Sequence, residues 1–211
     1  MKLGLIADVH EDVSRLRVAL DRLGRLEAER LIVLGDVFDQ GPDMDETTAL
    51  LDEAGAIGVW GNHDAGFCLG APVEGLRERY APRTIEYMGG LLPRLEIEGC
   101  HISHIEPWLD PWSLEDLWWA GGYPDTPDRV SRIFDAVPHR LILIGHIHRW
   151  IAAKSGEVLD WKGDRPLWMN PAERYFVGVH AVADGWAALL DTTANVLTPI
   201  PLDSPEGANS A

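Results

Sequence analysis

Short apolar runs alternate with segments of helical periodicity in the first part of the chain. The runs at 3–7, 31–34 and 56–60 are continuous and end in polar residues, which is typical of strands buried on both faces. Apolar residues recur at helical spacing over 12–29, and a second helix is predicted over 44–54. This alternation predicts βαβ units and a mainly parallel sheet.

The rest of the chain is less regular. Glycine and proline interrupt 65–93, where we expect short helices in a cap insertion. Strands are predicted at 100–104 and 141–145, and short strands joined by tight turns follow the second of these. The interval 105–128 has four Trp, four Pro and no Lys or Arg. We expect it to be a loop or lid.

Length and composition bound the architecture. The 211 residues are 46% hydrophobic, which is enough to bury a two-sheet core. We therefore expect one domain over 1–202, with the helical cap insertion at about 65–93 and the Trp-rich segment at about 105–128, and a disordered tail over 203–211. No run reaches 18 apolar residues, so neither a membrane span nor a signal peptide is predicted.

Charge and cysteine content restrict partners and compartment. Lys and Arg total 18 against 34 Asp and Glu, a net charge of −16, which disfavours polymeric nucleic acid and anionic membranes as partners. Cys68 and Cys100 are the only cysteines, too few for a disulfide framework or a thiolate metal cage. A reduced, cytoplasmic location is predicted.

Side chains that can bind metals follow the predicted strands. The five clusters are Asp8 and His10; Asp36 and Asp39; Asn62, His63 and Asp64; His104; and His146 with His148. Ligands of open α/β sheets bind beyond the carboxyl ends of the strands, so these clusters should converge. His146 and His148 would share one face if they continued a strand.

Each cluster alone has an ordinary structural explanation. Asp8 fits an N-cap or turn, His104 a hydrogen-bonded and partly buried histidine, and Asn62 a left-handed turn. Five clusters at the ends of strands in one presumptive sheet favour a shared metal site over these separate explanations.

The order of the motifs points to a family. Read in sequence, DVH, GDVFDQG, GNHD, SH and GHIH resemble the calcineurin-like metallophosphoesterases, over residue 3 to about residue 192. Five ordered motifs are far more specific than any one of them. The resemblance implies an α/β fold, a four-layer α/β/β/α sandwich of two mixed sheets (the metallophosphatase fold).

The resemblance also implies two divalent transition-metal ions about 3.5 Å apart. Carried over by motif, the first ion is held by Asp8, His10 and His148, the second by Asn62, His104 and His146, and Asp36 bridges both. Imidazole and amide ligands suit Mn, Fe or Zn better than Mg or Ca. The absence of cysteine from the motifs argues against a structural zinc site.

The implied mechanism is hydrolysis of a phosphoester bond by a metal-bridging hydroxide. His63 would be the catalytic histidine that protonates the leaving alkoxide, and Asp39 would orient its ring. A structural histidine is the alternative for His63.

One position departs from the family. Phosphoprotein phosphatases of this family have an Arg where this chain has Gln40, and an amide cannot replace a bidentate guanidinium. This favours diester substrates or an arginine supplied from elsewhere, although each available arginine is also explained as a surface charge. The arginine candidates are Arg149, Arg77, Arg79 and Arg83; the substrate-binding candidates are Asn62, Gln40 and Arg149.

We therefore predict a cytoplasmic dinuclear metallophosphoesterase that hydrolyses a small organic phosphate, either a phosphodiester or a nucleotide. The alternatives are a phosphoprotein or phosphomonoester phosphatase and a non-catalytic interaction scaffold, although a scaffold would not need His63. The Trp-rich segment 105–128 packs onto its own domain, forms a stacking wall for a base or aromatic leaving group, or forms a homodimer patch. The last alternative leaves a homo-oligomer open.

Overall fold

Two six-stranded sheets form the centre of the protein in a computed structural model that describes residues 1–70, 74–119 and 121–203. The strands are β1 Lys2–Ile6, β2 Arg30–Leu34, β3 Ile57–Val59, β4 Leu95–Ile97, β5 Cys100–Ser103, β6 Leu141–Ile144, β7 Ile151–Lys154, β8 Glu157–Val158, β9 Leu167–Trp168, β10 Tyr175–Gly178, β11 Trp186–Asp191 and β12 Val196–Pro201. The helices are α1 Val13–Arg25, α2 Met44–Glu53, α3 Ala65–Cys68, α4 Leu76–Arg79, α5 Pro82–Gly89, α6 Leu114–Leu117 and α7 Pro127–Ala136. The predicted tail beyond Asp203 lies outside the described residues.

Both sheets are mixed. The first has the order β3-β2-β1-β11-β12-β9, with β1, β2 and β3 parallel and the other pairs antiparallel. The second has the order β4-β5-β6-β10-β7-β8, with β5, β6 and β10 parallel. The carboxyl ends of the parallel strands therefore carry the loops that follow β1, β2, β3, β5 and β6.

The buried side chains define four layers. One cluster lies between the sheets and joins Leu5 and Ile32 of the first sheet to Leu143 and Val177 of the second. The outer face of the first sheet packs against α1 and α2. The outer face of the second packs against α7. The predicted four-layer sandwich is thus confirmed.

Local sequence explains the first helix. Asp12 caps α1 by accepting a hydrogen bond from the Arg15 backbone N–H at 3.0 Å. Leu16, Ala19 and Leu23 form its buried stripe. The helix ends at Arg25, four residues before the predicted limit, because Glu27 has a positive φ of 60°.

The sequence pattern did not predict four elements, of which α6 lies wholly within the segment expected to be a loop. The helix α7 begins at Pro127, in a segment predicted to be a loop; proline there occupies the first helical turn, where it is well tolerated. The strands β4 and β9 are only three and two residues long, too short to show alternation.

The helices of 65–93 belong to the outer layer of the first sheet. The helix α5 packs against α2 and α3, and Met88 joins the buried cluster under α1 and α2. No helix within the described ranges combines the length and apolar character that crossing a membrane requires.

Candidate metal centre

The loops beyond the parallel strands bring the predicted ligands together at one edge of the sandwich. The seven side chains are Asp8, His10, Asp36, Asn62, His104, His146 and His148. Five of them have a positive φ between 48° and 67°: Asp8, His10, Asp36, His146 and His148. Residues other than glycine rarely adopt this left-handed backbone conformation, and those that do are concentrated at functional sites.

The geometry of the last two histidines differs from the sequence argument. The strand β6 ends at Ile144, so His146 and His148 lie in a loop and do not continue a strand. Both residues have a left-handed backbone, so the alternation of a strand does not apply to them.

One group of potential ligands consists of Asp8, His10 and His148. The Nε2 atoms of His10 and His148 are 3.2 Å apart, and His148 Nε2 is 3.5 Å from Asp8 Oδ1. The Asp8 carboxylate also accepts the His146 backbone N–H at 3.0 Å, which ties the β1 loop to the β6 loop.

The other group is centred on Asn62. Its Oδ1 lies 2.9 Å from His104 Nε2 and 2.9 Å from His146 Nδ1. Three potential metal-ligand atoms, each from a separate loop, therefore lie close together.

Asp36 lies between the two groups. Its Oδ2 is 3.8 Å from His10 Nε2 and 3.3 Å from His104 Nε2, while its Oδ1 accepts the His63 backbone N–H at 2.9 Å. Burial alone would raise the pKa of Asp36, but His104 and the His63 N–H outweigh it and hold that pKa well below its usual range. A buried carboxylate that stays ionised between imidazoles is suited to bridge two cations.

Hydrogen bonds set the ring orientation of two of the histidines. His104 Nδ1 donates to the Leu34 carbonyl at 2.7 Å, and His148 Nδ1 donates to Asp184 Oδ2 at 2.8 Å. Both bonds turn Nε2 toward the cluster, as in the carboxylate–histidine and carbonyl–histidine pairs of metal sites. A divalent transition metal would bind these nitrogens in their deprotonated form.

The pKa values of three imidazoles in the cluster reflect burial and the charges of their neighbours. Burial lowers the pKa of His146 to about 4, and the neighbouring His104 adds to this. Burial would also lower the pKa of His104, but Asp36 outweighs it and raises that pKa to about 9. A hydrogen bond to Asp8 raises the pKa of His148 to about 9. The carboxylates thus attract positive charge to the cluster, a role that a metal ion would take over from protons.

Comparison with known proteins identifies the family. A family model described as the calcineurin-like phosphoesterase superfamily domain matches residues 1–177. The chain belongs to this superfamily. It is therefore a metallophosphoesterase, and the resemblance in the motifs is confirmed. No curated protein matches the chain in sequence.

Solved structures agree on the fold of this phosphoesterase. A metallophosphoesterase from Sphaerobacter thermophilus superposes with a TM-score of 0.77 at 20% identity, over 97% of this chain and 89% of that one. A putative diadenosine tetraphosphatase gives 0.59 at 17% identity, over 98% and 95%. An archaeal phosphodiesterase gives 0.55 at 14% identity, over 96% and 100%.

The candidate catalytic histidine of the phosphoesterase lies beside this cluster. His63 Nδ1 is 3.4 Å from Asp39 Oδ1, and its ring centroid is 4.8 Å from that of His10. The Trp118 ring is 5.1 Å away on another side. His63 also belongs to a group with His10 and Asp36 whose ligand atoms lie within 4.8 Å of one another, so the distances permit a ligand as well as an acid.

Three carboxylates outside the predicted ligand set support the loops. Glu11 accepts the backbone N–H groups of Asp39 at 2.9 Å and Gly41 at 3.0 Å through Oε1, and that of Asp43 at 3.1 Å through Oε2. Asp64 is fully buried and accepts three backbone N–H groups, from Val37, Phe38 and Gly61. Asp184, which orients His148, belongs to a predicted turn. Only the tertiary structure reveals these partners, which lie 3 to 36 positions away along the chain.

Two glycines allow these loops to approach one another. A Cβ on Gly61 would collide with Asp36 Oδ1, and one on Gly35 would collide with His104 Nδ1. Gly35 also has a φ of 92°, which a side chain would strain. The close packing of the ligands therefore depends on both positions.

Three of the candidate arginines have different surroundings in the structure. Arg83 pairs with Asp52 and Glu53 at 2.7 Å and 3.2 Å, which accounts for its charge outside the site. The Arg149 guanidinium lies 4.1 Å above the Tyr123 ring, next to His148 in sequence. Arg79 Nη2 donates to the Gln40 carbonyl at 2.9 Å, so it contacts the loop in which the family arginine would stand.

The four tryptophans of the 105–128 segment divide into two pairs. Trp108 and Trp119 pack on a buried cluster, where Trp108 Nε1 donates to Glu106 at 2.9 Å and Arg129 pairs with the same carboxylate. Trp112 and Trp118 are 57% and 55% exposed. Packing onto the domain therefore explains the first pair, while Trp118 faces the site beside His63.

A cavity of about 460 Å³ adjoins the ligands. Its lining includes His146 and His148 on one side and the rings of Trp119 and Tyr123 on another. The cavity thus combines potential metal ligands with aromatic walls, as small-molecule sites commonly do.

Proposed function

We propose that this metallophosphoesterase hydrolyses a small phosphodiester or nucleotide with two divalent transition-metal ions of the Mn, Fe or Zn type. The observation that carries the proposal is the position of Asp36 Oδ2, within 4 Å of a nitrogen from each of the two donor groups. Asp8, His10 and His148 would hold one ion, Asn62, His104 and His146 the other, and Asp36 both. When bound, such a pair supplies a nucleophile from water and neutralises phosphoryl oxygens.

The side chains around the ions would orient the substrate and move one proton. His63 donates a proton to the oxygen of the leaving group, which would otherwise depart as a poor alkoxide. Asp39, at 3.4 Å from His63 Nδ1, orients the ring. Glu11 holds the loop that carries Asp39.

The substrate class follows from charge and shape. Gln40 supplies no positive charge for a phosphomonoester dianion, whereas a diester carries one negative charge fewer. Its second substituent can lie against Trp118 or enter the cavity lined by Trp119 and Tyr123. Stacking of this kind contributes about 1–3 kcal/mol for each base.

A monoester phosphatase is the second candidate, and Arg79 favours it. Its guanidinium donates to the Gln40 carbonyl, so a positive charge lies beside the loop position where the family has an arginine. Arg149, which lies over the Tyr123 ring, is the other candidate, from the β6 loop.

The test is a substrate panel on protein reconstituted with Mn²⁺. We expect bis-p-nitrophenyl phosphate to have a higher kcat/KM than p-nitrophenyl phosphate. Trp118→Ala should raise KM for the diester and leave the monoester nearly unchanged. Trp112→Ala is the matched control, since Trp112 is equally exposed but packs edge-to-face on Trp60, with ring centroids 4.8 Å apart. A tenfold or greater preference of the wild type for the monoester, with ions bound, would refute the diester assignment.

A further inference from the structure

A second histidine cluster lies at the edge of the second sheet, at the opposite end of β5 from His104. It consists of Glu96 in β4, His101 in β5 and His139 in the segment before β6. Glu96 and His101 are directly opposed in the antiparallel pair, so their side chains leave the same face. One ligand atom from each of the three residues lies within 4.8 Å of the others.

The burial of His101 is the second observation. The residue is only 2% exposed, yet neither of its ring nitrogens has a hydrogen-bond partner among the described residues, and the same holds for Nδ1 of His139. Burying polar nitrogen without a partner is costly. A cation bound by one ring nitrogen of His101 would supply the partner that this nitrogen lacks.

The charges around the cluster suit a cation. Burial lowers the pKa of His101 to about 4, with His139 and Arg94 adding to the effect, so its ring is neutral and has a free lone pair near pH 7. Glu96 provides a negative charge. Arg94, the nearby cation, donates instead to the Leu109 carbonyl at 2.8 Å.

The distances also fit a small tetrahedral ion. Glu96 Oε1 is 3.3 Å from His139 Nε2. Two ligands on a tetrahedral Zn²⁺ with bonds of 2.0–2.1 Å are about 3.4 Å apart. A ring nitrogen of His101 lies within 4.8 Å of a ligand atom of each of the other two residues.

We propose that Glu96, His101 and His139 bind one Zn²⁺ ion, with a fourth position for water. Two imidazoles and one carboxylate are a ligand set that zinc favours. The ion would join the β4–β5 hairpin to the start of β6 and so stabilise the edge of the second sheet. The site is independent of the ions proposed for hydrolysis.

The test is Zn²⁺ binding to the chelator-treated full chain, measured by dialysis and elemental analysis. Wild type should bind one Zn²⁺ more than Glu96→Gln or His139→Gln. Each variant should weaken this site at least tenfold, since removing even an outer partner of a ligand weakens sites by about 10–100-fold. Zn²⁺ should also raise the Tm of wild type more than that of Glu96→Gln.

Glu98→Gln is the matched control, because it removes the same charge from the same hairpin but lies outside the cluster. Glu96 is 70% exposed at its side chain, so its variant folds even if a His101 variant does not. The comparison is repeated in an Asp36→Asn background, where the difference of one Zn²⁺ should persist whatever happens to the other ions. Equal Zn²⁺ in wild type, Glu96→Gln and His139→Gln, or an equal loss in Glu98→Gln, would overturn the proposal.

Discussion

Asp36 is the residue on which both donor groups depend. Its Oδ2 faces His10 on one side and His104 on the other. Asp36→Asn should lower the content of both ions together, because it removes the single anionic ligand that they share. Elemental analysis of protein purified without chelator and resupplied with Mn²⁺ measures this.

The matched control for Asp36→Asn is Asp43→Asn, which removes an exposed carboxylate from the same loop, where it makes no side-chain capping bond to α2. It should keep both ions. Loss of one ion only in Asp36→Asn would show that the carboxylate does not bridge.

Replacing His63 tests whether this residue is the general acid. His63→Ala should retain both ions, because seven other side chains supply the ligands. It should slow the hydrolysis of esters with alkoxide leaving groups by roughly two to four orders of magnitude, the usual range for acid–base catalysis. Esters of p-nitrophenol should be affected less, because that leaving group needs little protonation.

Two outcomes would contradict the role of His63. Equal rate losses on both classes of ester would show that His63 does not protonate the leaving group. A loss of metal would make His63 a ligand, the role that its distance from His10 and Asp36 also permits.

At the level of elements, the short loops after the strands are held by buried carboxylates outside the proposed ligand set. Glu11 is the clearest case, since it is 7% exposed and accepts three backbone N–H groups of the loop after β2. This loop carries Asp39, which contacts the proposed acid His63, and Gln40, a candidate for substrate binding. The order of the loop therefore affects both proton donation and substrate binding.

Glu11→Gln should therefore lower kcat without releasing metal. The amide oxygen can replace Oε1, but the amide nitrogen would face the Asp43 N–H and leave that donor unpaired. The expected loss of stability is about 1–3 kcal/mol. Steady-state kinetics, elemental analysis and urea unfolding measure the three effects, and Glu27→Gln, at an 85% exposed side chain, is the control. An unchanged kcat in Glu11→Gln would show that loop order does not limit the reaction.

The whole molecule carries a net charge of −16, which opposes the approach of anions. A dianionic monoester is disfavoured more than a monoanionic diester. Gln40→Arg should therefore raise kcat/KM for p-nitrophenyl phosphate and narrow the gap to the diester. The advantage should shrink as salt is added, because salt screens exposed charges.

Arg79→Ala and Arg149→Ala complete this test. Under the diester assignment neither should change the ratio of the two specificity constants by more than a few-fold. If one of them abolishes a monoester preference of the wild type, that arginine supplies the charge that Gln40 lacks.

The fold and the convergence of the candidate ligands were largely predictable from the sequence. Continuous apolar strands must be buried on both faces, and the ends of parallel strands meet at one edge of a sheet. Local pattern alone therefore placed Asp8, Asp36 and Asn62 near one another, and the order of five motifs identified the family. The described structure brings all seven predicted ligands together, although through left-handed loops where a strand was expected at His146.

Only the tertiary structure decided which residues support and surround these ligands. Glu11, Asp184 and Trp118 meet their partners across gaps of 28, 36 and 55 positions, and the packing of loops on two sheets sets those contacts. The same holds for the edge cluster, where β4 is too short to be predicted and His139 approaches Glu96 only because β6 lies beside β5. Periodicity reports which face of an element is buried, whereas the partner of a polar side chain depends on how separate elements pack.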